Sequence, residues 1–190
     1  MVKAKPIKVK VTSSKEYEQI KKDLKQYLQH IVNKEFEESM DYMPSEFFDI
    51  FPRSQMLLVM ENALNIPDVE MNFKNPRIES IEKSVKIKRK YYSFITYSTV
   101  TSIKMLDDFS DETLDEKTFR INLIKLSLEK GFGSNNVAYK SRTDSFEIKT
   151  SKNAYAISKN GKSNWKFLVL EEEQKIVLEK ILPKDLHSKI

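Results

Sequence analysis

From Tyr17 onwards the apolar residues Ile20, Leu24, Tyr27, Leu28 and Ile31 recur every three or four positions, the spacing of one face of an α-helix. Ser13 and Glu16 stand ahead of this run as an S-x-x-E capping box, so the pattern predicts one long amphipathic helix to about Glu38. Pro44 suits the first turn of a short helix to Asp49 that carries Phe47 and Phe48, and Pro52 closes it. Met56, Leu57, Met60, Ala63 and Leu64 predict a third helix, Arg53 to Leu64, stopped by Asn65 and Pro67.

After Pro76 the period shortens from helical to twofold. Ile81, Val85 and Ile87 alternate with polar residues, Lys88-Arg89-Lys90 marks a turn, and Tyr91 to about Met105 predicts a longer strand of aromatic and β-branched residues. Six acids between Asp107 and Glu116 precede Phe119, Ile121, Leu123, Ile124, Leu126 and Leu128, and Gly131 suits a helix end. The remainder reads as strands over Asn136–Arg142, Ser145–Thr150, Ala154–Ser158 and Trp165–Leu170, with a tight turn at Asn160-Gly161. A last helix, Glu171 to Leu182, stops at Pro183.

Helices first and strands afterwards predict an α+β fold in which the long first helix packs across a curved, mostly antiparallel sheet. No strand leads through a Gly-rich loop into a helix, which removes the support for a doubly wound nucleotide fold. With 190 residues, 39% of them hydrophobic, the chain suits one domain over 13–190 behind a tail over 1–12.

Charge changes this picture only at one end. The excess of 33 basic over 28 acidic side chains is carried by Lys3, Lys5, Lys8, Lys10 and Lys15, so the body from residue 16 onwards is neutral. The absence of cysteine excludes disulfides, a thiol nucleophile and cysteine-held metals, and two histidines, His30 and His187, leave no basis for a multi-histidine centre. No metal or cofactor is expected. The lysine-alternating start is not a signal peptide, and no apolar run approaches the roughly 20 residues of a membrane span. The chain as given is expected to be soluble and cytoplasmic, or secreted or periplasmic if a natural leader has been removed.

Several segments carry a resemblance. The long first helix, Tyr42-Met43-Pro44 leading to Phe47-Phe48, Tyr91-Tyr92-Ser93-Phe94, Phe132-Gly133 to Asn136-Val137 and Tyr139, Tyr155-Ala156-Ile157, and Trp165-Lys166-Phe167-Leu168 followed by Ile181-Leu182-Pro183 resemble uncharacterised bacterial proteins of the NTF2-like (cystatin-like cone) superfamily. That resemblance implies a bent sheet wrapped round the first helix, with an apolar pocket at its open end. Its members include isomerases, dehydratases and peptide or nuclear-transport adaptors. The helix after Leu114 interrupts the strands and departs from the simplest order of such a cone.

In such a pocket Tyr17, Tyr27, Tyr97, Tyr155 and Trp165 are the candidate ligand contacts, as aromatic bodies with a polar tip. His30, Asp41 and Tyr97 are the candidate acid or base groups. The favoured reading is a non-catalytic binding module whose apolar pocket or open sheet face takes a small apolar ligand, a peptide or a protein, with homodimerisation through the sheet face as a further expectation. The alternative is a pocket enzyme of the isomerase or dehydratase kind that uses Asp41 with Tyr97. A weaker alternative is nucleic-acid binding through the basic hairpin Lys83–Lys90, where Lys86, Lys88 and Arg89 stand near Tyr91, Tyr92 and Phe94. The alternation of those lysines with Val85 and Ile87 fits a solvated strand face, and the acids after Leu106 are available to offset them.

Overall fold

The computed structural model describes residues 14–190; the tail over 1–12 and the expected cap Ser13 lie outside the described residues. Ser14 is the N-cap of the first helix, α1 (Lys15–Asn33), and its Oγ accepts the backbone N–H of Tyr17 at 3.2 Å. Glu16 reaches across the fold instead of closing a box: its carboxylate accepts the backbone N–H of Ser84 at 3.1 Å. The helix ends before Glu38 because Lys34 adopts the left-handed conformation, φ 63°, and donates its N–H to Ile31. The chain then resumes as α2 (Phe36–Met40), α3 (Ser45–Phe48) and α4 (Arg53–Leu64).

The sheet follows as β1 (Val69–Ile81), β2 (Val85–Ile87) and β3 (Lys90–Met105), then, beyond the helix α5 (Leu114–Phe132), β4 (Val137–Lys140), β5 (Ser145–Ser158) and β6 (Lys166–Val169). A short helix, α6 (Lys175–Ile181), and a 3₁₀ turn, Lys184–Lys189, end the chain. Every strand pairing is antiparallel. β3 and β5 form the centre, in unbroken register from Tyr91 opposite Ser158 to Ile103 opposite Phe146. β2 and β1 flank β3 one after the other, and β4 and β6 flank β5 in the same way. These two outer borders do not pair with each other, so the sheet is open.

Two strands are longer than their patterns suggest. β1 runs through Pro76 because its register with β3 shifts between Lys74 and Arg77, and Asn75 takes φ 49°. This irregularity absorbs a residue that has no N–H to give to the ladder. β5 is one strand where two were expected, since the polar residues Lys149–Asn153 pair with Thr96–Val100 of β3.

Alternation along β5 sends Ala154 and Ala156 to one face and Tyr155 and Ile157 to the other. On the first face Ile20, Leu24 and Leu28 of α1 pack against Ile95, Ala154, Ala156 and Phe167, with Trp165 filling the same cluster. On the second, Phe47, Leu178, Leu182 and Leu186 pack on Tyr92, Tyr155 and Leu168. Tyr42 joins the two layers at the β6 border, where its carbonyl accepts the Phe167 N–H at 2.6 Å. At the far end of the sheet α5 starts from a capping box, in which Thr113 and Glu116 satisfy each other's backbone N–H, and it packs on β4. No helix among the described residues is long and apolar enough to cross a membrane.

Candidate ligand-binding site

Beside the C-terminal half of α1, a cavity of about 360 Å³ opens beneath α4. Phe73 of β1, Tyr97 and Thr99 of β3 and Val169 of β6 form its floor, since each is on the face of the sheet turned towards α1. Tyr27 and Leu28 of α1 supply a wall, and Met56, Val59 and Met60 of α4 supply the roof. α4 has no fully buried residue, so the cavity is roofed by a helix that lies on the fold without being sunk into it. Arg53 anchors the start of that helix: its guanidinium donates to the Glu37 carbonyl at 2.6 Å, pairs with Asp41 at 2.7 Å and lies over the Phe48 ring.

Two phenols give this mostly apolar space its polarity. Tyr27 is 7% exposed and stacks on Phe167 with ring centroids 5.6 Å apart; Tyr97 is 6% exposed. Burial, helped by the Glu171 carboxylate, pushes the Tyr27 hydroxyl up to about 12. Burial, the Tyr27 hydroxyl and Glu171 hold Tyr97 well above the ordinary phenol range. Both are therefore neutral donors at physiological pH. Hydrogen bonds among the described residues occupy the hydroxyls of Tyr42, Tyr139 and Tyr155, but not those of Tyr27 and Tyr97. At the mouth Lys152 Nζ donates to both carboxylate oxygens of Glu171, at 2.6 and 2.9 Å, so those charges neutralise one another.

Of the residues expected to line a pocket, Tyr27 and Tyr97 are brought together here. Tyr155 is on the opposite face, packed edge to face on Phe94 with its hydroxyl on the Leu186 carbonyl. Trp165 is 1% exposed in the helix–sheet core, and its indole N–H has no hydrogen-bond partner among the described residues. Tyr17 lies near the start of α1 beneath Lys21. His30 pairs with Glu35 at 2.6 Å beside the Tyr42 ring, and that bond holds the Glu35 carboxyl below its usual range.

Asp41 and Tyr97 do not meet. Asp41 lines a second, more polar crevice of about 500 Å³ between α3 and the β5–β6 turn, and its side chain is 69% exposed. There Arg53 pairs with Asp41, Lys90 pairs with Glu46, and Lys166 donates to the Asp41 carbonyl. The Lys90 ammonium holds the Glu46 carboxyl below its ordinary value.

The basic hairpin is partly offset within the fold, though by other acids than expected. Lys90 is paired to Glu46 of α3, whereas Glu82 beside the hairpin is taken by Lys189, which bonds it at 2.8 Å and covers Phe94 at 3.9 Å. Tyr92 is buried, and Lys86 covers the Tyr91 ring. The acids beyond Leu106 follow the other end of β3, about 50 Å away along a strand rising about 3.3 Å per residue, and cannot neutralise the hairpin.

Lys152 and Glu171 are the site residues that sequence reasoning missed. Phe146, Ile148, Thr150, Lys152 and Ala154 form one continuous alternation, which would have placed Lys152 on the core face if the strand had been carried on from Thr150 to Ala154. No family model matches the chain, and no curated protein or solved structure matches it either.

Proposed function

We propose that this chain is a binding module that holds a small, largely apolar molecule with one hydrogen-bond-accepting group in the cavity beneath α4. The observation that carries this reading is the pair of neutral hydroxyls that Tyr27 and Tyr97 bring to a cavity walled by Leu28, Phe73 and Met60. Both hydroxyls face the cavity without a protein partner among the described residues, so a carbonyl or ether oxygen of a ligand can accept from them, each such bond contributing roughly 0.5–1.5 kcal/mol. The methionines of α4 are unbranched and polarisable, which suits a roof that repacks over ligands of different outline. An apolar pocket between a long helix and a sheet is also what the resemblance to the NTF2-like superfamily implies. Binding is favoured over catalysis by isomerase-type chemistry, because a phenol raised in this way has no ionised fraction to act as base and Glu171 is held by Lys152.

Titration with the fluorescent probe 1-anilinonaphthalene-8-sulfonate tests the reading. The wild-type chain is expected to enhance its emission, Met60→Trp to weaken saturable binding by narrowing the cavity, and Tyr97→Phe to weaken binding roughly fivefold, the worth of one hydrogen bond of about 1 kcal/mol. Emission that is unaltered by Met60→Trp places the probe elsewhere and rejects the proposal.

A further inference from the structure

α5 carries two apolar stripes, and the fold uses one of them. Ile121, Ile124 and Leu128 are half-buried against the sheet, while Phe119, Leu123 and Leu126 are 70%, 58% and 66% exposed on the opposite side. This outward stripe follows the spacing i, i+4, i+7 and is closed by Glu116 at one end and Lys130 at the other. A shallow groove runs over Leu123, Leu126, Ser127 and Lys130. Residues at i, i+3, i+4 and i+7 form the four-cornered hole that accepts a side chain from a facing helix.

We propose that the outward face of α5 binds a second copy of this chain, with the two helices antiparallel about a twofold axis at Leu123. The ends of the stripe determine the occupant. Glu116 and Lys130 are equidistant from Leu123 along the helix, so an antiparallel copy sets each Glu116 opposite the partner's Lys130. The same axis brings Phe119 over the partner's groove between Leu126 and Ser127 and sets Leu123 against itself. Knob and hole, anion and cation are thus supplied by one surface to itself, as a twofold interface requires. A parallel pairing would oppose Lys130 to Lys130 and Glu116 to Glu116, and is disfavoured by charge. This interface lies on α5 and leaves the cavity beneath α4 free.

The absence of cysteine makes the geometry directly testable, since a single introduced thiol reports without background. Oxidation is expected to link Leu123→Cys to itself in high yield. Lys130→Cys is expected not to self-link, because the axis separates the two copies of that position by fourteen residues of helix, roughly 21 Å, far beyond disulfide reach. In sedimentation the full chain is expected to be a dimer, and Leu123→Glu is expected to raise its dissociation constant by roughly 100-fold through an unpaired carboxylate in the seam. Leu123 is exposed in the single copy, so that variant keeps its fold, which circular dichroism verifies. Sedimentation as a monomer at all concentrations, a dimer unaffected by Leu123→Glu, or equal self-linking of Lys130→Cys would each overturn the proposal.

Discussion

The carboxylate of Asp23, in the middle of α1, accepts the backbone N–H of Trp165 at 3.2 Å just ahead of β6. Asp23 is 8% exposed, and its other oxygen is held by the Gln19 amide at 2.7 Å. The bond fixes the entry of β6 against the long helix. Asp23→Ala leaves a buried N–H without a partner and is expected to cost roughly 2 kcal/mol, measured by urea denaturation. Asp23→Asn retains an acceptor and should lose less; equal losses in both variants would show that the bond contributes nothing of its own.

Gly161 is expected to tolerate no side chain. Its φ is +68°, and a β-carbon built there comes within 2.8 Å of the Tyr91 ring. Gly161→Ala therefore combines a left-handed backbone with overpacking, a loss of roughly 2–3 kcal/mol in thermal or urea unfolding. Adding Tyr91→Ala removes the clash, so the double variant should show less than the sum of the single losses.

Stability should fall in alkali through the cavity phenols. In the unfolded chain Tyr27 loses its proton near the ordinary value of 10.0, whereas the folded chain retains it to about 12. Between those values the unfolded state binds fewer protons, so its contribution is fully present below pH 10 and is lost as pH rises towards 12. Each such phenol adds a limiting slope of about 1.4 kcal/mol per pH unit. Tyr27→Phe should flatten the alkaline limb of urea-derived stability; an unchanged limb would mean that this hydroxyl is not buried in solution.

α4 should open locally before the rest of the molecule. None of its side chains is fully buried, and Arg53 holds its start through the Glu37 carbonyl and Asp41. Arg53→Ala is expected to lower hydrogen-exchange protection over Met56–Leu64 by roughly tenfold while global stability changes by less than about 1 kcal/mol. Equal loss of protection in β3 would instead mark Arg53 as part of the global fold.

Much of this architecture was legible in the residue pattern because burial and period coincide. Ile20, Leu24, Tyr27 and Leu28 share one helical face and are all buried, and Tyr92 to Tyr97 alternate in a strand covered on both sides. Legibility failed where tertiary pairing overrode local chemistry. The polar residues Ser151–Asn153 look like a break between two strands, yet they continue one strand because β3 offers a full ladder of partners. Pro76 looks like a boundary, yet a register shift carries β1 past it. In α5 two apolar stripes on opposite sides read together as a single core segment, although Phe119, Leu123 and Leu126 point to solvent. The phenols of the cavity were visible as candidates, while Lys152 and Glu171 meet only through the β5–β6 pairing and so leave no trace in local spacing.

The central pair has a consequence for the order in which the chain can fold. β2 and β3 meet across Lys88-Arg89 and need only a tight local turn, so that hairpin can form early. β3 and β5 meet at Ile103 and Phe146 only after everything between them, α5 and β4 included, has been drawn into a closed loop. The entropy of that closure precedes any gain from the ladder, which makes the joining of β3 to β5 the slow step. Until it occurs, α1 has β1, paired to β3, to rest on but not Ala154, Ala156 or Phe167 beneath it, so the first helix of the sequence completes its seat only when β5 arrives.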